Sequence, residues 1–453
     1  MGWGIRGQYG HETGAMIAGL LVGLVVVFLF CRQWSSLGAA RVVALLAIGI
    51  SFGGSMTYGQ TVGLTHDSEL IGHWPAWCWG MLGLFVKGGI WIGFAGAFLG
   101  MGLSGRRYRS FEILLLFAGL IALLFLGAYV LNQPFDPANR KLPWIYFSDD
   151  WHWEPDKPDL KPRLECWGGL LTALLGLLVY FAVVKKDRLA RNLTVCGFLA
   201  GAFGFPLGQA VQTFHAWSPE AFKAEWFAEV YPHMNWWNMM EIGFGAVLGF
   251  GLVLGVWINR NLIDPGGVDA IVSIPLPLEW GLIALHGAAL VFDSFLSATR
   301  FDVIADVGLT MGILPALGIL GGRLWPYMLA FPLLALPIAG KTLRQMAYQT
   351  DQIEIVTGWV PLVVVPLVVL VVAALFFESR GRSGQSGGSY GRWGLLLATW
   401  FYFAINFVFF ACPWPWSELT FRSPSAWILF LCATGLTLGV CTKKAPRPES
   451  RGF

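Results

Sequence analysis

The chain has 453 residues, 56% of them hydrophobic and 13% charged, with a mean hydropathy of +0.62 and a net charge of +3. A water-soluble domain has too little interior to hide that much apolar side chain, so the composition excludes a soluble enzyme or binding module and predicts an integral membrane protein. The small net charge argues against a nucleic-acid partner, and seven scattered cysteines without a CxxC pair argue against a redox or metal motif.

The N-terminal stretch MGWGIRGQYGHETG carries Gln8, His11 and Glu12 and is polar for its length. No small-residue cleavage site follows the next apolar run, which reads as a retained span. From there thirteen apolar segments follow: 15–31, 40–60, 80–103, 111–132, 166–184, 192–212, 236–257, 277–297, 303–322, 325–340, 355–377, 393–412 and 424–442. The segment 325–340 is short and contains Pro326, Pro332 and Pro337, which predicts a broken or re-entrant helix. The stretch 378–392, ESRGRSGQSGGSYGR, reads as a flexible cytoplasmic linker.

Basic residues in short loops stay cytoplasmic. Loops after odd-numbered spans plus the tail hold 18 Lys and Arg, against 11 on the other face. This predicts the N-terminus outside and the C-terminus cytoplasmic, as in a bacterial inner membrane. Six histidines (His11, His66, His73, His152, His215 and His233) and most of the 23 tryptophans then fall outside, which predicts a folded aromatic surface there. Two longer outer loops, 133–165 and 213–235, belong to that face. The second opens on Ser-Pro-Glu, a plausible helix start.

One polar frame occurs twice, as GQTVGLTH at 59–66 and GQAVQTFH at 208–215. Aligned without gaps, 59–103 and 208–252 share eleven of 45 positions, clustered as GQxVxxxH and GAxLGxGL. At an offset of 153, Glu12/Glu165, Leu21/Leu174, Gly23/Gly176 and Leu24/Leu177 also coincide. The expected fold is an all-α polytopic membrane protein of about thirteen transmembrane helices, in two parallel four-helix repeats plus about five C-terminal helices. Its expected units are 1–135, an outer aromatic and acidic loop 136–164, the second repeat 165–300, extra spans 301–377, the linker 378–392, and 393–453 with the last two spans. Parallel repeats place a ligand site at their interface. The glycines of GFAGAFLGMG and GFGAVLGFG suit close helix contact in lipid.

Gln60, His66, Gln209 and His215, joined by Gln8, His11 and Glu12, are the expected substrate-binding residues. Lys87 and Glu241 lie within spans at nearly equivalent places. An unpaired charge there is costly, so a Lys87–Glu241 pair that couples or gates transport is expected. His286 and Asp293 share one face of a later span and read as a proton relay or a satisfied polar pair. There is no Walker A motif; HETGA is not HExxH; neither GxSxG nor a dinucleotide fingerprint appears. No cofactor or metal is therefore expected. The leading function is a secondary transporter in the lipid bilayer for a small polar, sugar-like solute. The alternative is a membrane-embedded transferase using Asp149, Asp150, His152 or Glu154 in the 133–165 loop, as acid, base or metal ligand. The third is a non-catalytic scaffold whose aromatic outer face binds a partner.

Overall fold

The computed structural model describes residues 1–9, 12–267, 274–296, 323–349, 353–409 and 419–442. The chain is all-α, with no β-strand among the described residues. In chain order the helices are α1 (Gly2–Tyr9), α2 (Glu12–Phe30), α3 (Ser36–Gly53), α4 (Gly59–Gly63), α5 (Trp74–Leu103), α6 (Ser110–Leu131), α7 (Trp167–Val184), α8 (Arg188–Trp217), α9 (Trp236–Ile258) and α10 (Leu276–Leu296). Then come α11 (Trp325–Ala330), α12 (Pro332–Leu343), α13 (Ile355–Arg382), α14 (Gly387–Phe409) and α15 (Ser423–Thr442).

Among the described residues eight helices are long and apolar enough to cross a membrane: α3, α5, α6, α7, α8, α9, α13 and α15. Gly14–Phe30 and Leu276–Leu285 are shorter apolar stretches, and the expected span 303–322 lies outside the described residues. Burial separates centre from rim. The apolar windows of α3 and α5 are 89% and 83% buried by protein, that of α6 only 22%. α3 and α5 are therefore core helices, and α6 leaves much of its apolar surface outward, as a lipid-facing helix does.

The glycines of 93–102 explain how α5 can be so enclosed. A Cβ on Gly96 would lie 2.0 Å from the Leu193 carbonyl oxygen and one on Gly100 2.4 Å from the Ala190 Cα, both on α8. Further along the same contact, a Cβ on Gly201 would lie 1.9 Å from the Gly88 carbonyl oxygen. Backbone meets backbone here, which in lipid yields dispersion contacts that larger side chains would prevent.

The Gly-Gly at the end of α3 fits the same logic. Trp91 of α5 packs on Gly53 and Gly54, and its indole N–H donates to the Ile50 carbonyl at 2.7 Å. One of the carbonyls at the helix end is thus satisfied by a neighbouring helix. The chain breaks at Gly54–Tyr58 and restarts as α4, so the first GQxVxxxH frame is a one-turn helix followed by a turn. The second frame is instead the last stretch of the continuous α8.

Two loops differ from expectation. The 378–392 stretch is helical to Arg382 and again from Gly387, so little of it is linker. The turn between docks on the 32–36 turn, with Gly387 N–H donating to the Trp34 carbonyl at 2.7 Å and Ser36 N–H to the Gln385 carbonyl at 3.0 Å. After Trp217, the 213–235 loop forms only short 3-10 turns. The proline-rich 325–340 segment is broken, as expected: α11 and α12 meet at Phe331, just before Pro332.

Candidate functional site

Among the described residues two ion pairs are buried in the bundle, and they do not match the pairing expected from the repeat. Lys87 bonds Glu165 at 2.5 Å, while Glu241 bonds Arg6 at 3.0 Å. The Lys87–Glu241 pair is not formed. Equivalence in sequence put the two residues at similar depth but did not fix the direction in which either side chain points.

The Lys87 site is closed and satisfied. Its ammonium donates to the Thr57 carbonyl at 2.8 Å, to Thr61 Oγ1 at 2.7 Å and to Glu165 Oε1. Glu165 in turn accepts from the Ser148 hydroxyl at 2.7 Å and the Phe147 N–H at 3.0 Å. Three ammonium protons thus meet three acceptors, and the carboxylate ties the 133–165 segment down onto α5.

The Arg6 site is different. α1 lies against α9 through its glycines: a Cβ on Gly7 would lie 2.6 Å from Glu241 Cγ, and one on Gly4 2.6 Å from Ile242 Cγ1. This brings Arg6 inside, 4% exposed. Its guanidinium sits 5.5, 5.2 and 5.1 Å from the ring centres of Trp3, Tyr58 and Trp91, an aromatic cage that suits a desolvated cation. The Tyr58 hydroxyl accepts from Arg6 and donates to Glu241 Oε1 at 2.9 Å. Glu241 Oε2 has no hydrogen-bond partner, although the residue is 1% exposed.

Several other buried side chains of α8 and α9 also carry an unmet oxygen. Gln209 uses its amide N–H on Thr65 Oγ1 at 2.7 Å, and the Thr65 hydroxyl proton is already given to the Val62 carbonyl. That fixes which way the Gln209 amide points and leaves its carbonyl oxygen buried without a donor. Asn238, one turn from Glu241 on α9, is fixed in the same way by donating to the Gly4 carbonyl at 2.8 Å, and its oxygen is also without a donor. Gln212 Oε1, on the next turn of α8 after Gln209, is a fourth. The unmet groups of Gln209, Gln212, Asn238 and Glu241 are all acceptors.

The duplicated frames meet in part. Gln209 and the Trp217 indole both bond Thr65, beside His66. The His66 ring packs on Trp237 and His215 stacks on Trp236 at 4.1 Å, so the two imidazoles rest on consecutive residues of α9. His215 Nε2 bonds the Tyr231 hydroxyl at 3.0 Å. Gln60 does not join them: it donates to the Lys161 carbonyl at 2.9 Å and accepts from the Arg163 N–H at 3.0 Å, latching the 133–165 segment instead. The side chains of Gln8, His11, Glu12, His286 and Asp293 lie outside the described residues.

The 133–165 segment folds over this end of the bundle. Trp79 donates to the Tyr146 carbonyl at 2.8 Å, and His73 and His152 both pack edge-on against Trp153. Its acids have separate fates. Asp150 accepts from the N–H groups of His152 and Trp153, a turn-capping role. Glu154 pairs with Lys157 at 2.8 Å. Asp149 is 7% exposed, and its Oδ1 has no partner. Burial, then the nearby carboxylates of Asp67 and Glu154, push its carboxyl up to about 8. Burial likewise raises Asp150. Among the described residues no three His, Cys, Asp or Glu are arranged to hold a metal ion.

Sequence reasoning missed Arg6, Tyr58, Glu165, Asp67 and Asn238. The alternating glycines of GWGIRGQY were the available signal for Arg6, since a segment with Gly2, Gly4 and Gly7 can lie flush against a helix. No protein-family model, curated protein or solved structure matches the chain. The fold itself defines the class, an all-α integral membrane protein.

Proposed function

We propose that the chain is a secondary transporter for a small, neutral, hydroxyl-rich solute, bound beside the Arg6–Glu241 pair among α1, α4, α8 and α9. The observation that carries this reading is the set of buried oxygens without donors on Gln209, Gln212, Asn238 and Glu241. Leaving such a group unmet costs about 1–3 kcal/mol each, so a set of them marks a place where something else supplies the donors. A ligand rich in hydroxyls does so. Arg6 already balances the charge of Glu241, which favours a neutral ligand over a cation, and the rings of Tyr58 and Trp237 offer apolar faces to a sugar ring.

The contact of α5 with α8, one from each expected repeat, supports a site at a repeat interface, with Gln209, His66 and His215 near its entrance. The bias of basic residues supports an orientation with the 133–165 segment outside and the C-terminus cytoplasmic, as in a bacterial inner membrane. Lys87 is a clamp in this reading, because it has no free donor with which to gate anything.

The test is uptake of a panel of labelled neutral sugars and polyols into proteoliposomes. At least one is expected to be taken up saturably, with KM raised about 10-fold by Gln209→Leu, the worth of about one hydrogen bond. If no member of the panel is taken up and none raises the melting temperature, the reading fails. A second reading, a transferase acting through the 133–165 segment, is favoured by the buried Asp149 and the unpartnered Oε2 of Glu154, since Asp150 is engaged in capping its turn.

A further inference from the structure

The mouth of the proposed site holds a second constellation that substrate binding does not use. Gly63, at the end of α4, marks it. A Cβ there would lie 2.6 Å from Asp67 Oδ2 and 3.0 Å from Asp149 Oδ2, so two carboxylates from different segments converge on one spot. Asp149 is more than nine-tenths buried and its other oxygen is unpartnered. Among the described residues no Lys or Arg pairs with either carboxylate. The nearest cation in the segment, Lys157, is bonded to Glu154.

On the far side of Asp67 stands His66. Its Nδ1 contacts the Val62 carbonyl at 2.9 Å. A carbonyl only accepts, so Nδ1 carries the proton and Nε2 is free to take another. Nε2 lies 3.8 Å from Asp67 Oδ1. The same ring packs on Trp237, which stacks against Tyr58, the hydroxyl bridging Arg6 and Glu241.

We propose that Asp67 and Asp149 form the transporter's proton-binding site, sharing one proton that His66 receives. This rests on the transport reading for its purpose, though not for its chemistry. Asp149 is shielded from water and stands against the Asp67 carboxylate, so its ionisation is costly and a proton is retained between them near neutral pH. In the transfer the O–H bond on the Asp67 side of the pair breaks and an N–H bond forms on His66 Nε2. The imidazolium is then held by the Val62 carbonyl and the Asp67 carboxylate, and both aspartates are ionised. The other charged groups around the pair modulate the exchange. Glu154 and Asp150 raise proton affinity, Lys157 lowers it, and His73 stands behind Trp153 at the start of α5. The ligand is the proton itself, and the solute is carried with it.

Difference infrared titration of the protein in lipid nanodiscs tests the site without any solute. A protonated-carboxyl carbonyl band is expected to titrate with a midpoint of about 8, to vanish in Asp149→Asn and to fall by about one pH unit or more in Asp67→Asn, as loss of a like charge requires. A band unchanged in both variants, or one abolished at constant pH by sodium or calcium chloride, overturns the proposal; the latter would make the pair a metal-cation site. Melting curves that match the wild type show that the variants fold.

Proteoliposomes loaded with the panel sugars separate the two readings. The wild type is expected to show both counterflow exchange and uptake driven by a pH gradient, whereas Asp149→Asn keeps exchange and loses the gradient-driven component. Exchange in the wild type without any response to a pH gradient sinks this inference alone. Absence of exchange sinks the transport reading.

Discussion

Replacing Lys87 by Met separates a clamp from a coupling charge. The ammonium is fully buried and bonded to the Thr57 carbonyl, Thr61 Oγ1 and Glu165. Methionine fills a similar volume but leaves Glu165 inside the protein with only the Ser148 hydroxyl and the Phe147 N–H as donors. Breaking a buried pair from one side costs about 3–5 kcal/mol, and protonation of Glu165 relieves part of it. The double variant Lys87→Met/Glu165→Gln removes both charges and is expected to recover most of that loss. The cost falls where Glu165 acts, on the docking of 133–165. Trypsin cleavage after Arg163 reads it directly. A loss of about 3 kcal/mol raises the undocked population roughly 100-fold, and cleavage in nanodiscs should accelerate accordingly when docking is fast. If Lys87→Met leaves cleavage and melting unchanged while transport disappears, the clamp is refuted, and Lys87 is the coupling residue its place within a span suggested.

Gly201→Ala puts a Cβ 1.9 Å from the Gly88 carbonyl oxygen, where only backbone stands to give way, so it is expected to cost more than the usual 1–3 kcal/mol of an overpacked core. Gly119→Ala, on α6 with nothing within 4 Å, is expected to be neutral or stabilising by about 0.5–1 kcal/mol; melting of the two variants in nanodiscs compares them. The Asp149 carboxyl moves from 3.8 in an unfolded chain to about 8 when docked. The docked state then binds more protons than the undocked one between those values, so docking of 133–165 weakens as pH rises from about 4 to 8 and levels off above. Asp149→Asn removes that slope, and hydrogen exchange across the segment as a function of pH measures it.

What the sequence made legible follows from which physics is local. The apolar runs located the helices because the bilayer demands about twenty apolar residues wherever a helix crosses. The three prolines announced the break at Phe331 because proline removes a helix hydrogen bond wherever it falls. Pairing of charges is not local. Arg6 counted as a loop charge because it lies near the chain start, and only the contact of Gly4 and Gly7 with α9 carries it into the bundle. Glu165 sat at a loop boundary with nothing in its neighbours to show that it reaches Lys87. The repeated frame falls just after α3 in one copy and at the end of α8 in the other. Its two copies differ, because Trp91 packs where α3 ends and the chain restarts as α4, while α8 runs on through its copy to Trp217.

The two buried ion pairs show why charge alone does not identify a working site. Both lie in the protein interior, and each carries a hydroxyl between or beside its partners. At Lys87 each ammonium proton meets an acceptor, and Glu165 is engaged through both oxygens. Such a network has nothing to exchange with a solute, and opening it would expose several groups at once. At Glu241 one oxygen is fully engaged by Arg6 and Tyr58 while the other is unmet, as are the side-chain oxygens of Gln209, Gln212 and Asn238 and, beside Arg6, the Trp3 indole N–H. Evolution of a purely static core would favour filling that deficit with an asparagine, a serine or an apolar side chain. That deficit lies next to the cage of Trp3, Tyr58 and Trp91, and it is what sets the Arg6–Glu241 pair apart from the more conspicuous, fully satisfied lysine.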